Sequence, residues 1–221
     1  MASHSSPAAE ADRQLPIAEE IFLDHVGHFV RDPETAGRAL ARAGFAPTPV
    51  SVQYNPDGTP MGTGTAAFTV ARVEPGEMPE GRIQALTHHT ESMVWQPRWL
   101  SHPNGAVALT SITVVAADVG EATRRFARFT GRDPTPSQFG QTIKLDRGRV
   151  DLVTADVFAR RLPEIPIPSL PFMGAYGIRV TSLAALDNLL QRAGIATRRN
   201  ERELVVVFPE ELGQGAWLFT E

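Results

Sequence analysis

Three stretches of this chain repeat one order of signals, and that recurrence constrains the fold more than any other feature. In "FLDHVGHFVRDPETAGRALARAGF", Phe22 to Phe45, apolar residues alternate as in a strand until Asp32 and Pro33, after which the spacing becomes helical. Leu23, His25, Gly27 and Phe29 fall on one face of that strand, and Asp24, Val26, His28 and Val30 on the other. The Asp32 carboxylate can accept from free N–H groups of the first helical turn, and Pro33 suits a position where no N–H is needed. Ala36, Leu40 and Ala43 supply an apolar stripe, and Gly44 can adopt the left-handed conformation that ends the helix. The order returns in "SITVVAADVGEATRRFARFTGR", with Asp118 as cap, Ala122, Phe126 and Phe129 as stripe and Gly131 as stop. It returns again in "YGIRVTSLAALDNLLQRAGI", with Ser182 capping, Leu186, Leu189 and Leu190 inside and Gly194 stopping.

Strand-like segments punctuated by turns follow each helix. "PVSVQYN", the turn Asp57-Gly58, "TAAFTVARV" and "GRIQALT" follow the first, and "QTIKLD" and "GRVDLVT" the second. "LVVVFPEELGQGAWLFTE" after the third supplies two more strands. The expected fold is therefore α+β, built from repeated βαβββ modules with the third shortened. The expected division is a flexible tail at residues 1–20, a first module with its connector at 21–105, and the second and third modules at 106–221. The connector is "THHTESMVWQPRWLSHPNGA". The proline-rich "RRLPEIPIPSLPFMG" reads as an extended linker between modules two and three.

Composition narrows the function classes. A formal charge of −4 and a pI near 5.9 give no broad cationic surface, so nucleic acid is not an expected partner. The chain has no cysteine, which excludes disulfides, thiolate metal sites and a cysteine nucleophile. The N-terminal stretch lacks a basic start followed by an apolar run, and no segment approaches the roughly 20 apolar residues that span a bilayer. No membrane association and a cytoplasmic location are the expectations. No G-x-S-x-G elbow occurs, and "MGTGTAAF" lacks the lysine and following helix of a phosphate-binding loop.

A βαβββ repeat opening on "LDHVGHFVRD", with "MGTGTAAF" inside its first unit and "PEELGQGAWLF" closing its third, resembles the glyoxalase-like members of the vicinal oxygen chelate superfamily. The resemblance runs from Ile21 to Glu221. It implies paired units forming a half-barrel, a cleft that binds a small oxygenated molecule, and a divalent metal held by a first-strand histidine and a last-strand glutamate of each unit. It implies lyase, isomerase or dioxygenase chemistry. Imidazole and oxygen ligands of this kind suit Fe, Mn, Zn or Ni.

Carried over residue by residue, the resemblance places His25 at the first-strand ligand position and Gln84 at the last-strand position of unit one. Unit two offers Ser111 and Asp151, and unit three Ala175 and Phe219, which cannot bind a metal. His25, Gln84 and Asp151 are thus the candidate metal set. His25, His88 and His89 are candidate acid–base groups, and Trp95, Arg98 and Trp99 candidate substrate contacts. Were the connector helical, His88 and Glu91 would share a face. The alternative for His25 is a hydrogen bond to Asp24 or to a backbone group. His28, on the opposite face, reads as structural, and His102 as a turn residue. The competing function is a metal-free small-molecule binding or sequestration protein of the bleomycin-resistance type. Half-barrels can close within one chain or between two, so a homodimer is among the expected arrangements.

Overall fold

The computed structural model describes residues 19–48, 66–200 and 202–221. The expected strand "PVSVQYN", the Asp57-Gly58 turn and the first residues of "MGTGTAAF" lie outside the described residues. Unit one contributes helix α1 (Pro33–Arg42) and strands β1 (Phe68–Arg72) and β2 (Gln84–His88). The connector holds a short helix α2 (Glu91–Val94) and a 3-10 turn at Pro97–Trp99. Unit two comprises β3 (Ala106–Val115), α3 (Val119–Thr130), β4 (Pro134–Ser137), β5 (Gly140–Lys144) and β6 (Arg149–Val153). After α4 (Ala155–Arg161) and an irregular stretch, unit three comprises β7 (Phe172–Val180), α5 (Leu183–Arg192), β8 (Arg198–Arg199), β9 (Leu204–Val207) and β10 (Ala216–Thr220). The expected shortening of unit three falls on β8, which has two residues.

Local chemistry sets the helix ends as expected. Asp32 accepts from the Glu34 N–H at 3.0 Å, Asp118 from Glu121 at 2.9 Å and Ser182 from Ala185 at 3.2 Å. Gly44, Gly131 and Gly194 follow the helices with φ of 77°, 66° and 72°, a conformation without steric penalty only for glycine.

Units two and three pair with each other. Their eight strands form one open sheet in the order β4-β5-β6-β3-β7-β10-β9-β8, with the antiparallel β3–β7 pair as its seam. This is the α+β arrangement of paired βαβββ units. Directly paired residues share a sheet face. Ile112, Val114, Val150, Leu152, Tyr176, Ile178, Trp217 and Phe219 therefore line one face, where Ala122 and Phe126 of α3 and Leu186 and Leu190 of α5 bury against them. Ser111, Thr113, Asp151, Ala175, Gly177 and Leu218 line the opposite face, part of which α4 covers through Phe158. Phe129 lies at the edge of its stripe, 37% exposed, rather than inside.

Unit one departs from the repeat. Residues 22–30, expected as a strand, form no ladder and make only an isolated parallel bridge between Phe22 and Arg147. The period-two alternation is real, but β3 and β7 already use both their edges, so the segment lies over the helix-bearing face and docks by side chains instead. His28 and Val30 reach the core around Trp217 and Tyr176. β1 and β2 form a separate two-stranded hairpin in which Phe68 opposes His88 and Arg72 opposes Gln84. α1 packs its Ala36 and Ala43 into the same core as α5. Among the described residues, no helix is long and apolar enough to cross a membrane.

Candidate functional site

The segment over the seam roofs a cavity of about 580 Å³. Its floor is Ala106 to Leu109 of β3 with Tyr176 and Ile178 of β7. Phe22 to Val26 form one wall, and Phe45, Trp95, Leu100 and His102 close the remaining sides, with Arg147 beside the entry of β6. The cavity therefore lies on the helix-bearing face, and its walls come from unit one and the connector.

A carboxylate between two imidazoles is its polar feature. Asp24 Oδ2 accepts from His25 Nδ1 at 2.6 Å, and Asp24 Oδ1 accepts from His88 Nε2 at 3.0 Å. Burial pushes the Asp24 carboxyl up, but the hydrogen bonds from His25 and His88 outweigh it and hold the group below its ordinary value. The hydrogen bond to Asp24 raises the His25 pKa against an opposing desolvation. His25 keeps 55% of its side chain exposed at the cavity, whereas His88 keeps 8% and leaves Nδ1 buried without a partner. The Trp95 ring lies 4.5 Å from the His88 ring, and Phe22 stands 6.0 Å beyond it. Trp95 thus fixes the inner histidine and walls the cavity at once.

A second network supports the floor. Trp217 donates its indole N–H to the Tyr176 hydroxyl at 2.7 Å. His28 Nδ1 lies 2.9 Å from the Leu212 carbonyl, which can only accept, so Nδ1 carries the proton and Nε2 accepts from Tyr176 at 3.1 Å. Burial pushes the Tyr176 hydroxyl up to about 12, although the Trp217 N–H acts in the opposite sense. His102 accepts the Ala46 N–H on Nδ1 at 3.1 Å, and burial lowers its pKa, so the neutral ring presents its Nε2–H.

The structure brings some of the expected residues together and separates others. His25 and Trp95 line the cavity, and His88 joins them through Asp24. Gln84 sits on the same face of β2 as His88 but four residues earlier, roughly 13 Å along a strand, with Oε1 buried and unpartnered. His89 points to the other side of β2, where Nε2 meets Thr69 Oγ1 at 2.8 Å. Arg98 stacks on Trp99, 4.8 Å from its ring centroid, and neither lines the cavity. Because His88 ends a strand and Glu91 begins α2, they do not share the helix face expected for a ligand pair. Asp24, Tyr176 and His102 carry the site without having been singled out as functional. Tyr176 and His102 had no local signal beyond a strand interior and a turn, whereas Asp24 was visible as an acidic residue flanking His25.

The donors do not fit a divalent metal. Asp151 lies on the sheet face away from the cavity, bound by Thr142 Oγ1 at 2.7 Å and by the Arg149 guanidinium at 2.9 Å. A cationic neighbour at that distance competes with a metal for the carboxylate. Ser111 is buried beside Gly177, and both Asp24 oxygens already hold imidazoles. Among the described residues no three His, Asp or Glu side chains group to hold a metal ion.

No protein-family model matches the chain, and no curated protein matches it. Similar solved structures include methylmalonyl-CoA epimerase from Mycobacterium tuberculosis, 17% identical over 53% of this chain and 89% of that one, with a TM-score of 0.40. They also include lactoylglutathione lyase from Agrobacterium tumefaciens, 17% identical over 51% of this chain and 91% of that one, with a TM-score of 0.22. A third is TnmS3, an antibiotic binding protein from Streptomyces sp. CB03234, 15% identical over 51% of this chain and 93% of that one, with a TM-score of 0.20. These neighbours have vicinal oxygen chelate superfamily folds, the superfamily that the sequence resembles. At such identities the likeness bears on the fold alone, and at such TM-scores the architecture of this chain rests on its own strand order.

Proposed function

We propose that this chain binds a small, largely aromatic molecule in the cavity over the β3–β7 seam, and that it does so without a metal. The observation that carries this reading is the lining: Phe22, Phe45, Trp95 and Tyr176 surround about 580 Å³, and His25, Asp24 and His102 are among its polar residues. Such a cavity, apolar with a few placed polar groups, suits one small ligand. In this reading the described residues of 106–221 form the scaffold, and Phe22 to Val26, Phe45, Trp95, Leu100 and His102 supply the cover. A second reading is favoured by the 2.6 Å contact between His25 and Asp24. A carboxylate-oriented imidazole at a cavity is a competent general acid or base, suited to isomerase or lyase chemistry on the bound molecule.

Tryptophan fluorescence tests the binding reading. Trp95 is the one of the chain's three tryptophans that lines the cavity. Titration with small aromatic compounds should give a saturable emission change that Trp95→Phe removes and exhaustive chelation leaves intact. A response that appears only after a divalent metal is restored overturns the metal-free reading. Turnover that His25→Gln abolishes while binding persists would select the acid–base reading.

A further inference from the structure

Both edges of β3 are used, but unequally. β7 pairs along Ala106 to Val115, whereas β6 pairs only along Ser111 to Val115. Before Ser111, one edge of β3 is thus covered by no strand among the described residues. Two register shifts fall in the same half, so that Val107 and Thr110 have no counterpart on β7 either. From Val107 to Thr110, no backbone hydrogen bond reaches beyond the β7 ladder among the described residues. The segment Phe22 to Val26 walls the same cavity without forming a ladder with this edge.

The edge opens into the cavity. Ala106, Val107, Ala108 and Leu109 line it as four consecutive residues, although successive side chains of a strand point to opposite faces. A cavity that touches all four meets backbone as well as side chains. Backbone N–H and C=O groups demand partners, and those of one strand residue project to the same side. The molecule that satisfies them carries a donor and an acceptor spaced as in another extended peptide unit. The lining also holds charges of both signs, Asp24 and Arg147, so a neutral molecule meets repulsion from neither. We infer that the ligand of this cavity is a neutral, extended peptide unit with an aromatic side chain, its N–H and C=O paired to the open edge of β3 between Val107 and Thr110 and its ring among Phe22, Phe45 and Trp95. This rests on the reading of the cavity as a ligand site.

Calorimetric titration of the full chain with N-acetylphenylalanine N-methylamide and with its depsipeptide analogue, in which an ester oxygen replaces the phenylalanine N–H, tests the pairing. The two probes share ring, shape and neutrality and differ in one donor. The diamide should bind roughly tenfold tighter, because the ester leaves a strand carbonyl without its donor. Amide hydrogen exchange read by NMR is independent of that comparison. With the diamide at saturation, exchange at one or more of Val107 to Thr110 should slow roughly tenfold or more, as new hydrogen bonds require. Equal affinity of the two probes, or exchange at Val107 to Thr110 that the bound diamide leaves unchanged, overturns the peptide assignment while leaving the cavity reading intact. Failure of both probes to bind, where small aromatic compounds still change the Trp95 emission, does the same. Failure of the probes and of the aromatic compounds together, with folded wild-type protein, overturns both.

Discussion

Tyr176 and Trp217 sit side by side on β7 and β10, and the indole N–H of Trp217 meets the Tyr176 hydroxyl at 2.7 Å beneath the cavity floor. Trp217 is fully buried, so that hydroxyl is the available partner for its N–H. Tyr176→Phe deletes one oxygen but orphans two groups, the Trp217 N–H and the His28 ring nitrogen. The expected loss is about 1–3 kcal/mol, measured by urea denaturation. A change within about 0.3 kcal/mol would contradict the network.

Gly177 faces the β3 side of the seam, where an added Cβ would run into the Ser111 and Thr110 hydroxyls. Gly177→Ala should destabilise the chain by about 1–3 kcal/mol through overpacking. Thermal unfolding of the variant checks this, and an unchanged midpoint would mean that the seam is looser than the strand pairing indicates.

The His25–Asp24–His88 chain predicts a pH window. The raised His25 pKa contributes stability that is complete below the ordinary value of 6.5 and is lost as pH rises through the raised one. The lowered Asp24 pKa contributes stability that is present above the ordinary 3.8 and is lost as pH falls through the depressed one. Both are in force between those two ordinary values. The stability difference between wild type and Asp24→Asn should therefore peak there and shrink on either side. In the variant, the His25 ring should titrate closer to 6.5 by NMR. A flat difference across pH 3 to 8 would remove the coupling.

The loop before β2 is tied to α3 by a fork. Arg125 donates to Glu80 at 2.8 and 2.6 Å, and the Glu80 side chain is fully buried. Arg125→Met leaves that carboxylate without its cation and should cost about 3–5 kcal/mol, read by chemical denaturation. A cost below about 1 kcal/mol would mean that Glu80 is solvated in solution.

How legible each feature was in the sequence depends on the distance over which it is set. Asp32, Asp118 and Ser182 cap as read because each bonds an N–H two or three residues away, and the glycine stops follow equally local sterics. The choice of partners was not legible. Units two and three meet through β3 and β7, some 60 residues apart in the chain, and nothing near either strand specifies the other. The fate of residues 22–30 was half legible. Alternation separated His25, Gly27 and Phe29 from Asp24, Val26, His28 and Val30, but alternation cannot say which face goes inward. The inner face is that of His28, and Phe29 is 90% exposed, while His25 lines the cavity from its rim. Trp95 and His88 were visible as chemistry-rich neighbours; their ring contact, and the Asp24 bridge to His25, required the fold.

The most direct measurement locates the ligand. Backbone and ring chemical shifts of labelled protein, followed during titration with N-acetylphenylalanine N-methylamide, should move at Phe22 to Val26, Trp95, His102 and Ala106 to Leu109, around the helix-face cavity. Shifts clustering instead at Ser111, Thr113, Thr142 and Asp151 would place the ligand on the opposite face of the sheet and contradict the assignment of this cavity as the binding site.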